Sequence, residues 1–168
     1  YLVQEIAGDT VEVKRVPGST VHTESIDWSA KEIIDMIDSD LLFYINAGVD
    51  TYIPNKKSIF DDGDVQLVDM SQHITYNLVC FSIDDDHTSV EETDPVTTCD
   101  ENSQSEDPHF WLDPVRMLQA AAFVKDKLIA TFPEHQELYN NNYTVLNAAL
   151  QQLDNDFQIM ADAATKPL

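Results

Sequence analysis

Basic residues are scarce: nine Lys and Arg stand against 31 Asp and Glu, a formal net charge of −22 at pH 7. Such a surface repels nucleic-acid phosphates and anionic lipid and concentrates cations. Nucleic-acid binding is excluded and cationic ligands are favoured, although a solubilising surface on a secreted protein would carry the same charge. Long apolar runs are missing. No stretch approaches the roughly 20 residues of a membrane-spanning helix, and no basic segment followed by an apolar one opens the chain. The expectation is a soluble piece with any export signal already absent. The four glycines are scattered, which leaves no Walker-type loop and no Rossmann fingerprint. G-x-S-x-G and H-E-x-x-H are missing as well, so nothing nominates an enzyme. Carboxylates are too plentiful for a pair of them to argue acid–base catalysis, and Asp61-Asp-Gly-Asp64 lacks the remaining ligand positions of a calcium loop. Cys80 and Cys99 are the only cysteines. A disulfide between them, a constraint of about 3 kcal/mol, and two free thiols both remain open. Neither belongs to a C-x-x-C pair, which disfavours a thiolate zinc site.

What is present suits one ordinary domain: 168 residues, 43% of them hydrophobic. A short helix ends at Gly8, and Thr10-Val-Glu-Val-Lys-Arg-Val16 alternates as a half-buried strand does before Pro17-Gly18 breaks it. Ser29-Ala-Lys-Glu32 matches a capping box, with Ile33, Ile34, Met36 and Ile37 as the apolar face of a helix ending near Asp38. Leu41–Ala47 is an almost unbroken apolar run of strand length, and Val65–Met70 reads as another strand. Strands alternating with helices predict a parallel α/β sheet whose ligands collect beyond the carboxyl ends of the strands. From Ser82 to Asp107 the composition turns to Asp, Glu, Ser and Thr, which predicts a mobile acidic loop over about 83–107. Asp113-Pro114 then opens a helix to about Thr131, on Val115, Leu118, Ala122 and Leu128. After Pro133, Tyr139, Tyr143, Leu146, Leu150, Leu153, Phe157 and Met160 recur at spacings of three and four, a long helix with one apolar stripe expected to be core packing.

Two histidines stand out. His22 follows the Pro17-Gly18 turn, and His109 sits in Asp107-Pro-His-Phe-Trp-Leu-Asp-Pro114 immediately before a helix. Imidazole is the commonest protein ligand for zinc and similar metals, and a short loop stiffened by proline fixes its direction. His87, beside Asp84, Asp85 and Asp86, is a weaker metal contact; His73 and His135 are assigned to structure or solvent.

Taken in order, these segments resemble the cluster A-I solute-binding proteins, the metal receptors of ABC importers for zinc and manganese. The likeness covers nearly the whole chain. It is carried by Ile6-Ala-Gly-Asp9, by Val16-Pro-Gly18 leading to His22, by Asp40-Leu-Leu-Phe-Tyr44 with Gly48, by Asp107–Pro114, and by Pro133, Tyr139, Asn142, Leu150 and Leu153-Asp154. The resemblance implies one lobe of a two-lobe binding protein: an α/β lobe with a parallel sheet flanked by helices over residues 1–132, then a long connecting helix over 133–168. The C-terminal lobe, and a strand ahead of Tyr1, are expected to lie outside this chain. It implies His22 and His109 as first-lobe metal ligands, with the second lobe supplying the rest. The acidic segment before the second histidine, as in zinc-selective members, favours Zn2+ over Mn2+, although it holds one histidine, His87, where such members carry many.

The implied function is extracytoplasmic capture of zinc for the permease of an ABC importer, without chemical turnover, and with membrane contact only through a lipid anchor outside this chain. The competing class is an adhesion or protein-binding module of the same fold in which metal only stabilises the structure. A metallohydrolase would need a third ligand and a base, for which Glu24, Glu106 and Asp107 are the nearest residues.

Overall fold

Leu41, Phe43 and Ile45 alternate with Leu42 and Tyr44, so a strand built here presents apolar side chains on both faces. The computed structural model describes residues 1–16, 28–46, 49–61, 63–80 and 104–164. In it, strand β1 (Leu41–Tyr44) pairs in parallel with β2 (Gln66–Asp69), in register from Leu41 with Gln66 to Tyr44 with Asp69. Leu41, Phe43 and Ile45 pack on a core of Ile6, Ala7, Ala120, Ala121, Val124, Leu128 and Tyr139. Those residues come from helices α1 (Leu2–Ala7), α4 (Pro114–Thr131) and α5 (Gln136–Asp162). Leu42 and Tyr44 join a second core with Met36, Ile53, Phe60 and Val65, beneath α2 (Ala30–Ile37) and α3 (Tyr52–Asn55). Parallel strands with helices on both faces are the predicted α/β arrangement.

Local chemistry sets the helix ends. The Ser29 hydroxyl accepts from the Glu32 amide while Glu32 accepts from the Ser29 amide at 2.7 Å, a complete capping box for α2. Ser29→Ala is expected to cost about 1 kcal/mol, read as a lower urea midpoint at unchanged slope. Gly8 ends α1 at φ 58°, where a side chain would be strained. The Asn142 amide on α5 donates to the Ile6 carbonyl at 3.0 Å and so satisfies the end of α1 from another element. Gly63 is required for a different reason: a Cβ there would come within 2.9 Å of the Ile37 carbonyl and Cβ at the end of α2.

Four expectations are corrected. Thr10–Val16 forms no ladder: a 3-10 turn covers Gly8–Thr10 and Val11 is extended, but among the described residues β1 pairs only with β2. Alternation encodes an extended backbone, whereas pairing needs a partner from elsewhere in the chain. Gln104–Asp107, expected to belong to the acidic loop, is a strand, β4, antiparallel to β3 (Asn77–Cys80). Residues 81–103, with His87 and Cys99, lie outside the described residues. On α4 the buried line is Ala120, Ala121, Val124 and Leu128, while Val115 is exposed. The apolar stripe of α5 is core only as far as Leu150; Leu153, Phe157 and Met160 are exposed. Among the described residues, no helix is long and apolar enough to cross a membrane.

Candidate metal centre

His109 is held between two fixed ends. Upstream, β4 closes with Asp107 opposite Asn77 of β3. Downstream, Asp113 caps α4, its carboxylate accepting from the Val115 amide at 2.8 Å and the Arg116 amide at 3.2 Å. The Arg116 guanidinium joins the two ends by donating to the Asp113 carboxylate and to the Asn77 side-chain oxygen. Between them runs a 3-10 turn at Phe110–Leu112, anchored by Phe110, which is buried in the core. The turn is closed by the Phe110 amide donating to the Pro108 carbonyl at 2.8 Å and the Leu112 amide donating to the His109 carbonyl at 3.1 Å.

The imidazole projects from this frame and is about half exposed, at 49%. Its Nδ1 lies 2.5 Å from Oδ1 of Asp107, which also accepts from the His109 backbone amide at 3.1 Å. An ionised carboxylate only accepts, so the proton of this bond belongs to Nδ1, and Nε2 of the neutral ring keeps its lone pair. The side-chain bond to His109 is the main cause holding the Asp107 carboxyl below its usual range; the backbone bond adds to it and the Arg116 charge contributes less. Trp111 meets the imidazole edge to face, with ring centroids 5.2 Å apart.

Tyr76 links this corner to the sheet. Its hydroxyl is pushed up first by burial and then by the charges of Asp69, at the carboxyl end of β2, and Glu106 of β4. The hydroxyl finds no hydrogen-bond partner among the described residues. At the carboxyl end of β1, Asp50 accepts from the Ile45 amide and from the Tyr52 hydroxyl, both at 2.9 Å. Burial, reinforced by that bond, pushes Tyr52 up to about 12. These carboxylates serve the loops beyond the strands.

His22 and His87 lie outside the described residues, so His109 is the one predicted ligand whose surroundings are on view. Among the described residues, no group of three or more His, Cys, Asp or Glu is placed to hold a metal ion. His73 stacks on Phe123 with centroids 3.7 Å apart, and His135 lies against Tyr139, in keeping with their structural assignment. Asp107, considered above as a hydrolase ligand, is instead engaged by His109. The signal for that pairing was present in the Asp-x-His spacing, which puts a carboxylate two residues before the ring.

The family described as zinc-uptake complex component A, periplasmic, matches residues 1–167. The chain belongs to this family. Zinc-binding lipoprotein AdcA of Streptococcus pneumoniae strain R6 is 25% identical over 154 residues, covering 92% of this chain and 29% of that protein. High-affinity zinc uptake system protein ZnuA of Bacillus subtilis is 24% identical over 163 residues, covering 97% of this chain and 49% of its own length. The chain thus spans less than half of either relative. The crystal structure of Streptococcus pneumoniae AdcAII superposes with a TM-score of 0.71 at 24% identity, over 98% of this chain and 54% of that one. The likeness shows that this chain shares the fold of the matching part of that structure.

Proposed function

We propose that this chain captures a divalent transition metal, zinc first and manganese as the alternative, outside the cytoplasm for delivery to the permease of an ABC importer. The observation that carries the reading is His109, half exposed on a frame pinned at both ends, within a chain that the zinc-uptake family matches over residues 1–167. His22, four residues after Pro17-Gly18 in the sequence, is the other ligand of the half-site. Residues 1–132 make the metal-binding lobe, and 133–168 make a strut to a second lobe that supplies the remaining ligands. The apolar residues Leu153, Phe157 and Met160, exposed along the end of α5, suit such a continuation. The metal is cargo and undergoes no chemistry. A position on the outer side of the membrane, by lipid anchor or in the periplasm, belongs to the same reading, and the acidic surface draws cations toward it.

The test is a calorimetric zinc titration of the 168-residue chain beside His22→Ala and His109→Ala, at moderate salt to suppress diffuse binding to the acidic surface. One equivalent is expected, with either substitution taking binding out of the measurable range. Binding untouched by both substitutions sinks the reading and moves the adhesion module ahead.

A further inference from the structure

We propose that Asp107 is a positioning residue for metal capture, which holds the Nδ1 proton of His109 so that Nε2 alone is offered to the ion. The inference rests on the metal reading above and goes beyond it by assigning both the ligating atom and the residue that selects it.

A neutral imidazole has one proton and two nitrogens, and it can present a lone pair to a metal only from the nitrogen without the proton. Free to choose, the ring exchanges between two tautomers and rotates about its side-chain bonds. Here Asp107 restrains both. Asp107 Oδ1 sits 2.5 Å from Nδ1 and 3.1 Å from the backbone amide of the same histidine, so one oxygen grips both the ring and its root. Asp107 is in turn the last residue of β4, paired with Asn77, and Asn77 accepts from Arg116, which also holds the cap of α4. Trp111 adds an edge contact to the ring, at 5.2 Å between centroids. The carboxylate thus passes the rigidity of the hairpin and of α4 to a side chain that is otherwise half in solvent. A carboxylate behind a metal-bound imidazole also raises the basicity of the ligating nitrogen, and removing such a partner typically weakens metal binding about tenfold to hundredfold.

The tautomer can be read without any metal. Long-range proton–nitrogen NMR correlations of the 168-residue chain, at mildly alkaline pH, are expected to show His109 with its proton on Nδ1. In Asp107→Ala the proton moves mainly to Nε2, the form an unpartnered imidazole prefers. Asp107→Asn retains an acceptor oxygen and keeps more of the original tautomer, and as the milder change it guards against misfolding of the alanine variant. Zinc titrations of the same proteins are expected to give about tenfold to hundredfold weaker binding for Asp107→Ala and a smaller loss for Asp107→Asn. A proton on Nε2 in the unmodified chain overturns the proposal, as does an unchanged tautomer in Asp107→Ala. Full zinc affinity in Asp107→Ala beside lost affinity in His109→Ala overturns this proposal alone. Full affinity in His109→Ala overturns the metal reading itself, and this proposal with it.

Discussion

Tyr139→Ala is expected to remove about 3 to 5 kcal/mol of folding stability, a large part of what a domain of this size possesses. The side chain is completely buried, where α5 crosses α1 and α4. Its hydroxyl lies 3.0 Å from that of Thr10. Because Thr10 already donates to the Ala7 carbonyl at 2.7 Å, Tyr139 is the donor in this pair. The residue therefore fills the core and fastens the exit of α1 at the same time. Tyr139→Phe separates the two contributions, keeping the ring and losing only the hydrogen bond, at about 1 kcal/mol. Urea unfolding followed by circular dichroism measures both. An alanine variant with the midpoint of the unmodified chain would show that α5 is not integral to this core.

Zinc release in mild acid is the second large effect. On the proposed ligation by His22 and His109, protons compete with the ion for two imidazoles, and apparent affinity is expected to fall by up to about a hundredfold per pH unit in acid. Asp107 behaves oppositely. Its carboxyl is held below the usual range by the bond to His109, so the stability it contributes is present above that range and is lost only as pH falls through the lowered value. The metal should leave first, in mild acid, while the Asp107 carboxylate remains charged. Zinc titrations at a series of pH values, with circular dichroism on the same samples, check the order. Affinity that does not change between neutral and mildly acidic pH would contradict histidine ligation.

Much of the architecture was legible because it is written locally. The capping box at Ser29 and Glu32, the Asp113-Pro114 start of α4 and the two-sided apolar run at Leu41–Tyr44 all lie within a few residues of the structure they specify. The β3–β4 hairpin was not legible. Gln104-Ser-Glu-Asp107 contains no strong strand former, and its ladder with Asn77–Cys80 is closed across more than twenty intervening residues. The stripe on α5 was legible as a stripe, yet which part of it is core depends on how far α1 and α4 reach along it, and burial stops at Leu150.

The candidate site divides the same way. By itself the sequence offered His22, a few residues after Pro17-Gly18, and His109, directly after Pro108, as candidate ligands, in a strongly acidic chain with no recognised nucleophile motif. Residue type and spacing carry that information, because coordination chemistry and net charge need no tertiary contact to be read. Only the tertiary structure decided that Asp107 holds the Nδ1 side of the His109 ring. That depends on Asp107 being the last paired residue of β4 and on Arg116, 39 residues after Asn77, joining it to Asp113. A hydrogen bond of that kind exists only once the hairpin and the helix have been brought together.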